Sequence, residues 1–223
     1  MSETPFTKDN LDSYLKELAK EFRKINGSRT PAEITLIGGA AVLVNYGFRE
    51  MTYDVDAIIQ ASSSMKDAIN HVGDRMGLPN GWLNTDFVRT TSYTPKLTQY
   101  SKYYKTFSNV LQVRTISAEY LIVMKLMAGR QYKNDLSDVV GILLEQKTTE
   151  KEIGLDAIKR AANELYGGYE NLPDSSRRRF AMFRILQSCT VKFVTVKSKI
   201  RAFWLTLKKT IRMYLIRIIL QKF

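Results

Sequence analysis

The chain has 223 residues, 44% of them hydrophobic and 25% charged, the make-up of an ordinary globular protein large enough to bury a core. A single cysteine, Cys189, rules out an internal disulfide and a cysteine-ligated metal cluster and suits a reducing cytoplasm. The net charge of +12 is unevenly spread. Thirteen of the 34 Lys and Arg follow Asp174 with no acid among them, leaving 21 basic against 22 acidic residues before that point. The sequence thus reads as a near-neutral domain with a basic C-terminal segment suited to nucleic acid, an anionic membrane or an acidic partner. The N-terminal stretch has neither the basic region nor the apolar core of a secretory signal. No uncharged apolar run approaches the roughly 18 residues of a spanning helix.

In chain order, Leu11, Leu15, Leu18 and Phe22 recur at helical spacing and predict an amphipathic helix over Thr7–Lys24, ended by the turn-rich INGSRTP. Ile34–Ile37 predicts a strand that runs into Gly38-Gly39, and a helix of small residues follows over Ala40–Asn45. After a turn at Gly47, Tyr53–Ile59 predicts a second strand carrying Asp54 and Asp56. Ser62–Met76 predicts a helix capped by Ser63 or Ser64, closed by the glycines and proline of GLPNG. Trp82–Asn109 is polar, rich in tyrosine and weakly periodic, with a strand predicted somewhere in Phe87–Tyr93. Val110–Thr115 predicts a further strand. From Ser117 the pattern is helical throughout: Ser117–Ala128, Asn134–Glu145, Thr149–Tyr166, and a fourth helix opening near Ser176 after Pro173.

Asp54 and Asp56 are two apart, so on a strand both carboxylates face one way with Cα atoms about 7 Å apart. Such a pair can grip one or two hard cations, and Mg²⁺ is the natural choice because it also takes phosphate oxygens and water. Val55, Ala57 and Ile59 would supply the buried opposite face. Two like charges on one strand face repel, which makes the pair a local inconsistency of the kind functional sites show. Gly38-Gly39 stands where a strand becomes a helix, so unpaired N–H groups and the helix dipole favour a phosphate there. The dinucleotide-binding and P-loop glycine patterns are absent.

The stretch IGGAAVLVNYGFREMTYDVDAII resembles the signature of the polymerase-β-like nucleotidyltransferases: a hydrophobic strand, Gly-Gly, a short helix, then an acid-x-acid pair. It is most similar to the bacterial AbiE-type toxin nucleotidyltransferases and their relatives. These add an Arg and a Ser or Thr before the acids, here Arg49 and Thr52, and a later block here formed by Lys125, Ala128, Arg130, Asp135 and Asp138. The resemblance covers roughly Phe6–Phe180. It implies an α/β (α+β) fold, a small mixed β-sheet nucleotidyltransferase core flanked by helices and followed by an all-helical C-terminal half. The corresponding divisions are a core over 1–116, a helical region over 117–175 and a basic tail over 176–223.

The resemblance further implies that Gly38 and Gly39 hold a triphosphate, with Arg49, Thr52 and Arg130 beside the nucleotide, and that Asp54 and Asp56 ligate Mg²⁺. Lys125 would contact nucleotide phosphate, and Asp138 would act near the acceptor or orient Lys125. The activity implied is transfer of a nucleoside monophosphate from an NTP to a hydroxyl of tRNA or protein, in a toxin–antitoxin or phage-defence setting. Beside these roles stand structural ones. Arg130 and Asp135 equally form an ion pair, and Asp135 and Asp138 suit the N-terminal turn of a helix. Many members of the superfamily carry a third acid on a later strand; the expected counterpart here is Gln112, with Asp86 the other nominee. That departure favours a second hypothesis, a catalytically degenerate module that binds a partner protein, antitoxin or toxin, or RNA.

Other residues read more plainly. His71, the sole histidine, belongs to a helix with no nucleophile nearby, and Cys189 reads as a small buried residue. Tyr93, Tyr100, Tyr103 and Tyr104 with Lys96, Lys102 and Lys105 suit either base stacking with phosphate contacts or a surface loop. Ile200, Trp204, Leu207, Ile211, Tyr214 and Ile218 form the apolar stripe of a basic amphipathic helix. It would lie on an anionic membrane, track RNA, or dock on protein; the abrupt change after Arg179 also resembles an out-of-frame or atypical terminus.

Overall fold

The computed structural model describes residues 5–130 and 134–188. The chain divides into two compact units, Met1–Ala181 and Met182–Phe223. Cys189 and the amphipathic stripe from Ile200 to Ile218 lie outside the described residues.

The first unit is built on a five-stranded mixed sheet in the order β3 (Leu83–Asn84), β2 (Val55–Gln60), β1 (Ala32–Leu36), β5 (Leu111–Ile116), β4 (Ser101–Phe107), which bears out the α/β expectation. Helix α1 (Lys8–Asn26) starts at Thr7, whose hydroxyl accepts from Asn10 N–H while the Asn10 side chain accepts from Thr7 N–H at 2.8 Å. This reciprocal cap satisfies two of the donors a helix start leaves unpaired. Leu11, Leu15, Leu18 and Phe22 of its stripe are fully buried. They join Ile34 and Leu36 of β1 (Ala32–Leu36), Val55 and Ala57 of β2 (Val55–Gln60), and Leu111 and Val113 of β5 (Leu111–Ile116) in one core cluster. The expected buried face opposite the acids is therefore real: Val55 and Ala57 are fully buried, and Ile59 packs partly buried against the cluster.

Helix α2 (Gly38–Asn45) follows β1 after one residue. Strand β2 then returns antiparallel beside β1, with Leu36 opposite Ala57, and Ile37 N–H extends the ladder to Asp56 O at 3.1 Å. This return brings the C-terminal end of β1, with its glycines, to the N-terminal end of β2, with its acids. Helix α3 (Met65–Met76) packs on α1. Its N-cap is Ser64, as expected, but the Ser64 hydroxyl donates to Asn26 Oδ1 at 2.8 Å rather than capping the helix. His71 Nδ1 lies 3.3 Å from Glu21 Oε1 of α1, a helix-packing contact at the surface.

The sheet departs from expectation in three places. The second strand begins at Val55, not Tyr53, because Thr52 is committed elsewhere, to a two-hydrogen-bond bridge with Phe6. No strand forms over Phe87–Tyr93. A 3₁₀ turn occupies Asp86–Arg89, started by Asp86 N–H donating to Asn84 Oδ1, and the short β3 (Leu83–Asn84) precedes it. The tyrosine-rich stretch forms the edge strand β4 (Ser101–Phe107), antiparallel to β5 and interrupted by a register shift between Tyr103 and Lys105. Much of that tyrosine cluster is used within the fold. Tyr100 stacks on Tyr120 at 3.9 Å, Tyr104 donates to Asp12 at 2.8 Å, and Lys105 pairs with Asp12. Tyr103 is the exposed tyrosine of β4, at 60%.

Helices α4 (Ala118–Ala128), α5 (Asp135–Thr148), α6 (Leu155–Tyr166) and α7 (Asp174–Ser188) form the helical half. α4 is apolar nearly all round, as befits a helix packed against both α5 and α6. α5 runs to Thr148, three residues beyond expectation, and α6 starts correspondingly late, after the N-cap Gly154. Among the described residues no helix is long and apolar enough to cross a membrane.

Candidate active site at the glycine turn

The glycine turn is a point of close approach in the fold. Gly38 has φ +55, a left-handed conformation that disfavours any side chain. A Cβ at Gly38 would lie 3.2 Å from Asp56 Oδ2. One at Gly39 would lie 2.7 Å from Thr52 Oγ1 and 3.0 Å from Arg49 Nη2. The two glycines open α2, where the first backbone N–H groups have no partner within the helix. Asp56, Thr52 and Arg49 thus surround the N-terminus of one helix.

Thr52 and Arg49 are held from behind. Phe6 is fully buried between Trp82 (ring centroids 6.2 Å apart) and Tyr14 (5.9 Å). Its backbone donates to Thr52 O at 2.7 Å and accepts from Thr52 N–H at 2.9 Å. The Thr52 hydroxyl, anchored by that bridge, donates toward Asp54 O at 3.2 Å and Asp54 Oδ1 at 3.3 Å. The Arg49 guanidinium donates from Nε to Met51 O at 3.1 Å and from Nη1 to both carboxylate oxygens of Asp138, at 2.7 and 2.9 Å. These bonds leave the Nη2 edge against Gly39.

The later block is an ion network running away from the turn. Lys125 Nζ lies 2.8 Å from Asp138 Oδ2 and 3.2 Å from Asp135 Oδ1. Arg130 Nε donates to Asp135 Oδ2 at 2.8 Å. The expected Arg130–Asp135 pair is therefore formed, and Asp138 pairs with both Lys125 and Arg49. The Lys125 side chain is 4% exposed, so in this arrangement its ammonium is wholly engaged by the two aspartates. Burial pushes the Asp135 carboxyl up, but the Arg130 hydrogen bond and the Lys125 and Arg130 charges outweigh it and hold the group below its ordinary value.

The two acids of the turn differ. Asp56 is half-buried beside Gly38, whereas Asp54 is exposed and precedes the strand. Asp56 lies directly beside Gly38, and Asp54 accepts from the hydroxyl of Thr52, which lies against Gly39. Neither residue expected near a third acid's place supplies one. Gln112 sits on β5, which pairs with β1 rather than β2, and its Nε2 donates to Glu33 at 2.9 Å. Glu33 lies level with Gln60, at the opposite end of β2, four residues along β1 from Ile37 and hence about 13 Å from the level of Asp56. The residue in register with Asp56 on its other side is Asn84 of β3, with Asp86 exposed just beyond it. Among the described residues no group of three His, Cys, Asp or Glu is placed to hold a metal ion.

Sequence reasoning overlooked the contribution of α5 beyond its acids. Gly47 N–H donates to the Glu145 carboxylate at 3.0 and 3.2 Å, and a Cβ on Gly141 would lie 2.5 Å from the Phe48 ring. The signal was present as a helical spacing of Asp138, Gly141 and Glu145, but nothing in the sequence says what that stripe faces.

A solved structure of an antigenic nucleotidyltransferase-like protein from Paracoccidioides brasiliensis is similar over 64% of this chain and 79% of its own, with 15% identity and a TM-score of 0.41. No curated protein sequence matches the chain significantly. A family model described as nucleotidyltransferase of unknown function (DUF6036) matches residues 13–187, most of the length that bears the turn, the acid pair and the ion network, and the chain belongs to that family.

Proposed function

We propose that the protein transfers a nucleoside monophosphate from an NTP to an acceptor hydroxyl, as in AbiE-type toxin nucleotidyltransferases, with tRNA or a protein side chain as acceptor. The observation that carries this reading is the convergence on Gly38-Gly39. A guanidinium edge, a hydroxyl and the Asp56 carboxylate pack against the two glycines that open α2, whose first N–H groups have no partner within the helix, and Asp54 accepts from that hydroxyl. Asp54 and Asp56 are hard oxygen donors of the kind Mg²⁺ takes, and a two-carboxylate clamp leaves its other positions to water and phosphate. Mg²⁺ held there would neutralise charge on the phosphates during transfer.

In that reaction the acceptor oxygen bonds to the α-phosphorus, the bond from that phosphorus to the bridging oxygen breaks, pyrophosphate leaves, and the proton of the acceptor hydroxyl passes to water. The chain's own part is positioning and charge. Gly38 and Gly39 admit the triphosphate to the α2 N-terminus, Arg49 Nη2 and Thr52 Oγ1 fix it there, and Asp138 and Lys125 hold Arg49 in place.

The test is incubation with radiolabelled NTPs, Mg²⁺ and either total tRNA or cell lysate. Label transfer by the wild type and none by Asp54→Ala is the expected result; equal transfer, or none by either, refutes the reading. A second reading, a degenerate module that binds a partner protein or RNA, is favoured by the absence, among the described residues, of a third acid at the pair. Calorimetry separates the two, because the module binds no NTP with Mg²⁺ while retaining its fold.

A further inference from the structure

Three consecutive residues of the α2–β2 loop meet one face of α5. Gly47 meets Glu145, Phe48 meets Gly141 and Arg49 meets Asp138, so that the loop runs antiparallel to the helix axis. The three α5 positions are spaced three and four apart and form one stripe. Residues 47–51 belong to no helix or strand, so these side-chain contacts set where the segment lies. Its other end is tied at Thr52 by the bridge to Phe6.

We propose that α5 is the positioning element of the phosphate site, with Glu145 and Gly141 as positioning residues that act through the loop on Arg49 and Thr52; this rests on the nucleotidyltransferase reading above. Glu145 anchors the start of the loop through the Gly47 amide. Gly141 provides the only side-chain size that lets the Phe48 ring lie against the α5 backbone, since a methyl group would meet ring carbons at 2.5 Å. With both contacts made, Arg49 enters at the height of Asp138 and its Nη2 edge is delivered over Gly39. The helical half of the fold thereby sets the geometry of a site whose other groups come from the sheet half.

The test uses the full chain and magnesium tripolyphosphate, which probes the phosphate site without a base or an acceptor. Gly141→Ala and Glu145→Ala are expected to weaken its binding by about tenfold to a hundredfold, the loss typical of a small displacement of positioned groups. Each variant should also raise amide hydrogen exchange at Gly47 and its neighbours while α4 and β5 stay protected. Glu145→Gln, whose side-chain oxygen still accepts from Gly47, should recover most of the binding. In a Phe48→Ala background, Gly141→Ala should have no further effect, because the clash it creates is gone. A wild type that binds no magnesium tripolyphosphate overturns the phosphate-site reading and the positioning role with it. Wild-type binding that Gly141→Ala and Glu145→Ala both retain overturns the positioning role alone. So does a loss of protection spread evenly over the first unit, which would mark a merely structural effect.

Discussion

Replacing Asp138 with Ala removes one carboxylate that two cations share. Its side chain is 5% exposed and lies 2.7 Å from Arg49 Nη1 and 2.8 Å from Lys125 Nζ. After the substitution Lys125, 4% exposed, keeps only the longer contact to Asp135, at 3.2 Å. Arg49 keeps Met51 O, and at 17% exposure it recovers part of its hydration. Breaking a buried pair by deleting one partner costs about 3–5 kcal/mol. The partial exposure of Arg49 places the loss near the lower end, about 3 kcal/mol. In a unit of this size that corresponds to a fall in Tm of roughly 6–12 °C. Thermal and urea unfolding of the full chain, followed by circular dichroism, measure it. Lys125→Met on top of Asp138→Ala deletes the stranded cation, so the double variant should be more stable than the sum of the single losses by at least about 1 kcal/mol. An Asp138→Ala protein within about 0.5 kcal/mol of wild type, or strictly additive losses, would refute the view that these charges form one buried network.

Phe6→Ala should cost about 3–5 kcal/mol, because the ring is fully buried between Trp82 and Tyr14, and should raise hydrogen exchange at the Thr52 amide. Gly38→Ala should cost about 1–2 kcal/mol for its φ of +55, and weaken magnesium tripolyphosphate binding, as a Cβ there crowds Asp56; calorimetry reads both. Because the folded-state pKa of Asp135 is lowered, its ionisation adds stability that is complete above the ordinary carboxylate range and is lost as pH falls through the lowered value. Urea midpoints across acidic pH should therefore decline less steeply for Asp135→Asn than for wild type. Gln112→Ala should leave magnesium tripolyphosphate binding unchanged, since Gln112 pairs with Glu33 at the other end of the sheet; a loss of binding would show that β5 reaches the site after all.

Much of the fold was legible because its local rules agree. The stripe of Leu11, Leu15, Leu18 and Phe22, the helix start at Ser117, and the strand–Gly-Gly–helix–strand order all appear in the structure within a few residues of where the periodicity puts them. The tyrosine-rich stretch was illegible for a physical reason. β4 is an edge strand with little buried area, so its composition carries almost no alternation. The boundary at Tyr53 was missed because it depends on Phe6, nearly fifty positions away, pairing with Thr52.

The sequence by itself determined that two glycines and two acids stand close along the chain, at a spacing that suits phosphate and a hard cation, and that a Lys–Arg–Asp block lies further on. Local spacing and residue chemistry suffice for that. Only the tertiary structure decided how they combine. The antiparallel return of β2 beside β1 sets Asp56 against Gly38, and pairing of β5 with β1 carries Gln112 to the far end of the sheet. Docking of the loop on α5 gives Asp138 to Arg49 and Lys125 at once. Contacts of this kind join residues as many as 98 positions apart, as Gly47 and Glu145 are. They follow from strand order and helix packing, which no local pattern encodes.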